Sequence, residues 1–225
     1  MTSSKVQFPV FSSASSKLVL ILGPMFSGKT SSLISELTRY VDVDIPVAYI
    51  NSSEDTRAER FSTHNSSFSE ISTKIQTFKT TKLLELDEEQ IEKYGVLAVD
   101  ESQFFDDLIP FTKRWLMRKK IIYVAGLDGD IHQKIFGDLV HLIPYASEVR
   151  KLNAVCDPCR KHSKIVNAPF TIRLSCPGRV NPDNDEKKLI GGKDIYVPVC
   201  SDCLFEKRKP QTSVQLWEQE LNYII

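Results

Sequence analysis

Residues 23 to 30 read GPMFSGKT, placing Gly23, Gly28, Lys29 and Thr30 in the spacing G-x-x-x-x-G-K-[ST]. Glycines so spaced let the backbone curl until successive N–H groups converge, a concavity suited to phosphate oxygens. A helix starting at that point adds the positive end of its dipole. The run Gly23, Pro24, Met25, Phe26, Ser27, Gly28, Lys29 and Thr30 is therefore the candidate ATP-phosphate loop. Within it Lys29 would bridge the β- and γ-phosphates and the Thr30 hydroxyl would ligate Mg²⁺. Such a loop needs a second metal anchor at the end of a neighbouring buried strand, and VLAVD ends on Asp100. Glu101 follows at once. Two adjacent carboxylates at a strand end point in different directions, so one can hold the metal while the other acts as general base on a hydroxyl or a water. A glycine turn with a surface lysine and a capping Asp is the bland alternative, and the full pattern outweighs it.

The second chemical constellation is sulfur. Cys156-Asp-Pro-Cys159 and Cys200-Ser-Asp-Cys203 are two C-x-x-C pairs, the pattern of a closed, structural Cys₄ zinc site. A redox reading is weaker, because neither pair is expected to follow a strand-to-helix turn that would depress a thiol pKa. The fifth cysteine, Cys176, reads as an ordinary reduced thiol. No secretory signal precedes these residues, which argues against a disulfide framework.

The elements that must position this chemistry alternate in type. LVLIL before the loop, IPVAYIN (45 to 51), VLAVD (96 to 100) and IIYVA (121 to 125) read as buried strands. SSLISELTRY and LIPFTKRWLMRKK between them are amphipathic. Strand–helix alternation predicts an α/β fold, a P-loop NTPase-type, mostly parallel sheet. From residue 151 onward Cys, Pro, Gly and charged residues dominate, and no helix is expected until SVQLWEQELNYII. The predicted division is 1–16 a disordered Ser-rich tail, 17–150 the α/β domain, 151–204 a small zinc-binding domain and 205–225 a C-terminal tail. With 225 residues, 41% hydrophobic, the chain can bury a sizeable core. No apolar stretch approaches the roughly 20 residues a membrane span requires. A net charge of zero lacks the basic excess of nucleic-acid binders, so neither membrane nor nucleic acid is an expected partner.

GPMFSGKT, VLAVDESQFF, VAGLDGD followed by Phe136-Gly137, LNAVC-x-x-C, IGG-x-D-x-Y and a final VC-x-x-C occur in that order. Together they closely resemble the type II, cytosolic thymidine kinases over residues 17 to 204. The resemblance implies transfer of the ATP γ-phosphate to the 5′-hydroxyl of thymidine, with deoxyuridine left open, by a cytoplasmic enzyme. It implies Glu101 as the base, Mg²⁺ held by Thr30 and Asp100, and a lasso between the cysteine pairs that closes over the base mainly through backbone groups. Met25, Gln103, Phe104, Leu127 and Phe136 would line the nucleoside site, with Met25 and Leu127 around the 5-methyl group and Phe136 stacked on the base. Thr171, Leu189, Ile190, Gly191 and Tyr196 belong to the lasso. Arg57 would either stabilise transferring charge or sit on the surface. Feedback inhibition by dTTP and assembly as a homotetramer or dimer are also implied. Asp130 and Ile131 depart from the family pattern, and the lasso carries an insertion around SCPGRVNPDNDEKK. Two rival readings remain open on sequence alone: a zinc-bearing ATPase acting on DNA or RNA, and a nucleotide-dependent scaffold without turnover.

Overall fold

The computed structural model describes residues 15–54, 74–174 and 195–207. Six strands form one sheet: β1 Lys17–Leu22, β2 Val47–Ser52, β3 Ile75–Thr80, β4 Val96–Val99, β5 Ile121–Gly126 and β6 Glu148–Lys151. Their order is β3-β2-β4-β5-β1-β6, and every pairing is parallel. The four inner strands are almost continuously apolar because both faces of a parallel sheet are covered. The outer two, IQTFKT and EVRK, are open to solvent along much of their length: Gln76, Thr77 and Lys79 are exposed on β3, and Val149 and Lys151 on β6. Sequence reading missed both edge strands for this reason.

Alternation along each strand sorts the core into two layers. Leu18, Leu20, Ile50, Leu97, Val99, Ile122 and Val124 face one side, beneath Phe105, Leu108, Phe111 and Trp115. Val19, Ile21, Val47, Tyr49, Ala98 and Ala125 face the other, beneath Leu33, Leu37 and Val41. Leu33, Leu37 and Val41 recur every fourth residue on helix α1 (Lys29–Val41), so one stripe of that helix lies on the sheet. A one-turn helix α2 (Glu88–Ile91) is tied by Glu88 to Arg114 and Arg118, at the end of and just beyond helix α3 (Leu108–Met117).

A third core lies beyond the sheet. Strands β7 (Ala154–Val155) and β8 (Asn167–Ala168) pair antiparallel, as do β9 (Phe170–Arg173) and β10 (Tyr196–Val199). They enclose Ala154, Cys156, Ala168, Val197, Val199, Cys200 and Leu204. Contrary to the expectation of no helix here, α4 (Asp157–Arg160) and α5 (Ser201–Lys207) each start directly after the first cysteine of a C-x-x-C pair. Asp157 and Asp202 in the first turns favour those starts, since a carboxylate complements the helix N-terminus. Helices of one or two turns are too short to show a hydrophobic period, which is why the pattern concealed them. The predicted helix SVQLWEQELNYII and residues 1 to 14 of the Ser-rich tail lie outside the described residues. Among the described residues no helix is long and apolar enough to cross a membrane.

Candidate active site

The loop after β1 turns into α1 at Gly28, whose φ of 83° and ψ of 21° lie in the left-handed region. Glycine adopts that conformation without the penalty a Cβ brings. The Ser32 amide donates to the Gly28 carbonyl at 2.9 Å, beginning the helix ladder. Lys29 folds back over the loop, only 9% exposed, and its Nζ donates to the Pro24 carbonyl at 2.7 Å. The Ser27 hydroxyl donates to the same carbonyl at 2.9 Å. The Met25 amide donates to Thr171 Oγ1 at 2.9 Å, so the loop is tied to β9, 146 residues later.

Asp100, just beyond β4, is buried. Its Oδ2 accepts both the Thr30 and the Tyr49 hydroxyl, each at 2.7 Å, and its Oδ1 accepts the Glu101 amide at 2.9 Å. Strand β5 lies between β1 and β4, so Thr30 reaches Asp100 from the first turn of α1. A hydroxyl and a carboxylate converging at the C-terminal edge of a parallel sheet form an oxygen donor set that suits a hard cation such as Mg²⁺. Glu101 itself adopts a left-handed conformation, φ 48° and ψ 41°, which for a residue with a Cβ costs about 1–3 kcal/mol and is kept only where the surroundings enforce it. The Gln103 Nε2 donates to Glu101 Oε2 at 2.6 Å, and the Leu127 amide donates to Gln103 Oε1 at 3.0 Å. Phe104 and Phe136 meet edge to face, ring centroids 6.3 Å apart at 83°, and both are partly exposed. Such a corner offers an apolar wall to a planar ring.

Four sulfur atoms gather in the third core. The Sγ atoms of Cys156, Cys159, Cys200 and Cys203 all lie within 4.8 Å of one another. Cys159 Sγ is 3.8 Å from Cys200 Sγ and 3.6 Å from Cys203 Sγ. A disulfide requires about 2.05 Å, whereas thiolates about 2.3 Å from a tetrahedral zinc sit about 3.8 Å apart. The spacing therefore fits a metal. Burial and the adjoining thiols push the Cys203 thiol up. At Cys156 burial is outweighed by the backbone amides of Cys159 and Cys200, and its thiol is lowered. Contrary to expectation, both pairs follow a strand and open a helix. Gathering all four sulfurs in one place, rather than the absence of that turn, is what separates this site from two redox pairs.

A family model described as thymidine kinase matches residues 16–204. The chain belongs to the thymidine kinase family. Thymidine kinase of vaccinia virus (strain Western Reserve) is 35% identical over 188 residues, covering 83% of this chain and 96% of that protein. Those of sheeppox virus (strain KS-1) and African swine fever virus (isolate Tick/Malawi/Lil 20-1/1983) are each 34% identical, covering 83% and 82% of this chain and 95% and 90% of those proteins.

Within this thymidine kinase family member the structure joins several of the residues singled out in sequence. Thr30 meets Asp100, Glu101 meets Gln103, Gln103 meets Leu127, Phe104 meets Phe136 and Met25 meets Thr171. Tyr196 and the exposed Phe26 line one cleft of about 670 Å³, together with Val155, Pro158 and Leu174. Arg57, Leu189, Ile190, Gly191 and Cys176 lie outside the described residues. Asp130, one of the departures from the family pattern, braces the loop that leads to Phe136, its Oδ1 accepting the amides of His132 and Lys134 at 2.8 and 2.9 Å. Tyr49 was missed, because within IPVAYIN it reads as core. The signal that could have found it was a phenol in an otherwise apolar strand, whose hydroxyl needs a partner when buried.

Proposed function

We propose that this chain is an ATP-dependent kinase that transfers the γ-phosphate of ATP to the 5′-hydroxyl of thymidine, giving dTMP and ADP. The observation that carries the reading is the meeting of Thr30 with Asp100 beside Glu101, at the mouth of a glycine-rich loop. Bound at Thr30 and Asp100, Mg²⁺ would neutralise charge on the β- and γ-phosphates. The loop from Gly23 to Thr30 holds those phosphates, Lys29 leaving the Pro24 carbonyl for them. Glu101 accepts the proton of the 5′-hydroxyl as its oxygen attacks phosphorus in line. Met25, Leu127, Phe104 and Phe136 would shape an apolar slot for the base, Tyr196 would pack near the sugar, and Thr171, Leu189, Ile190 and Gly191 would contribute from the lasso. Arg57 would stabilise the charge on the transferring phosphoryl group.

The same reading assigns residues 17–150 to catalysis and 151–204 to a zinc-stabilised lobe, with zinc on the four cysteines as a structural ion. It places the enzyme in the cytoplasm as a homotetramer or dimer inhibited by dTTP, with deoxyuridine as a second acceptor left open. Replacing Glu101 by Gln tests the chemistry directly. kcat falls on the order of 10² or more while nucleotide affinity stays, the usual scale of general-base loss. Wild-type kcat in that variant sinks the assignment.

A further inference from the structure

Gln103 has both ends of its amide engaged and its side chain almost fully buried, 4% exposed. Oε1 accepts the Leu127 amide at 3.0 Å, and Nε2 donates to Glu101 Oε2 at 2.6 Å. A backbone N–H can only donate, so the Leu127 contact fixes which end of the amide is oxygen. The NH₂ end is thereby the one aimed at Glu101. Gly126 leaves room for this contact: a Cβ built there would stand 2.9 Å from Gln103 Oε1. Glu101, held at a left-handed φ of 48°, is the kind of residue whose conformation persists only under such constraint.

We propose that Gln103 is a positioning residue for Glu101: a relay from the Leu127 amide through the Gln103 side chain fixes the direction of the Glu101 carboxylate. Gln103 acts through Glu101 and does not touch the reacting atoms. Because Leu127 also walls the proposed base slot, one amide ties the position of the base to that of the carboxylate. The inference rests on Glu101 being the general base.

A double-mutant cycle on the full-length enzyme separates the two ideas. The four proteins are wild type, Gln103→Met, Glu101→Gln and the double variant, each checked for a wild-type-like thermal melt. Gln103→Met keeps the length and removes both polar ends. On the proposal it lowers kcat about 10- to 100-fold, the scale of a misdirected catalytic group, with KM for ATP and nucleoside within about threefold. In the Glu101→Gln background it changes kcat by less than about twofold, since no carboxylate remains to be directed. Losses that multiply across the cycle overturn the positioning role and leave the base reading standing. A raised nucleoside KM with unchanged kcat also overturns it, because that marks a direct substrate contact. Wild-type kcat in Glu101→Gln alone removes both. If Gln103→Met does not fold, Gln103→Glu replaces it, keeping an acceptor for Leu127 and setting a carboxylate against Glu101; wild-type kcat there overturns the proposal as well.

Discussion

Gly137 packs against the turn carrying Glu101 and Gln103, and replacing it by Ala tests whether that turn is as tightly packed as the structure implies. Its φ is 69°, a conformation that costs an alanine about 1–2 kcal/mol. A Cβ there would stand 2.7 Å from Gln103 Cα and 2.9 Å from the Gln103 carbonyl oxygen. Both are backbone atoms that cannot rotate away, so the overlap adds about 1–3 kcal/mol, the usual cost of overpacking. The sum, about 2–5 kcal/mol, is a large part of the total stability of a domain, about 5–15 kcal/mol. At about 2–4 °C per kcal/mol for a chain of this size, Tm falls on the order of 5–15 °C. Gly28→Ala is the matched control: its φ is 83°, yet a Cβ there meets nothing within 4 Å, so it carries the conformational cost without the overlap and loses less Tm. Relief of the overlap displaces the turn carrying Glu101 and Gln103, so kcat of Gly137→Ala falls about 10²-fold, the scale of an ångström's misplacement. Thermal melts and steady-state kinetics of the two variants decide it. A Gly137→Ala protein melting within about 2 °C of wild type, or a Gly28→Ala protein losing as much Tm, refutes the packing argument.

Lys29→Ala removes the cation from the phosphate loop, and ATP affinity measured by equilibrium binding drops at least tenfold; unchanged affinity with unchanged turnover contradicts the loop assignment. The purified chain carries about one zinc per polypeptide by metal analysis, and Cys200→Ser loses it together with protection of residues 154–174 and 195–204 from amide exchange; a metal-free wild type with those residues protected contradicts the Cys₄ reading. Stability declines at both pH extremes. Hydrogen bonds from Arg118 to Glu88, from Arg150 to Glu148 and from Arg160 to Asp157 hold those carboxyls below their usual values, so their contribution is full above the unfolded values of 4.5 and 3.8 and is lost as pH falls through the lower folded ones. Burial and the Tyr40 hydroxyl push the Tyr123 phenol well above its ordinary 10.0, so its neutral form ceases to stabilise the fold as pH rises past that value. Melting temperatures recorded from about pH 3 to 11 that stay flat at either end contradict this.

Sequence disclosed most where chemistry and covalent spacing coincide. GPMFSGKT and the two C-x-x-C pairs specify their partners by residue type and interval, and the structure gathers the four sulfurs of both pairs in one place. The buried strands were equally legible, because an inner parallel strand has no solvent face to interrupt its apolar run. The edge strands IQTFKT and EVRK were not, since half of each faces solvent and resembles loop. The Tyr49–Asp100 contact and the Gln103 relay were hidden for a different reason. Both depend on which side chains a crossover connection brings to the same edge, and β4 meets β2 and β5 only through pairings between distant segments. Local pattern carries no record of such pairings.

The most direct measurement is phosphate transfer from γ-labelled ATP with Mg²⁺, offering thymidine, deoxycytidine, deoxyguanosine or no acceptor to the zinc-loaded, reduced protein. The account predicts labelled dTMP with thymidine, little product with the other two nucleosides, and loss of the dTMP signal in Glu101→Gln. Label released only as inorganic phosphate, at a rate indifferent to thymidine, contradicts it.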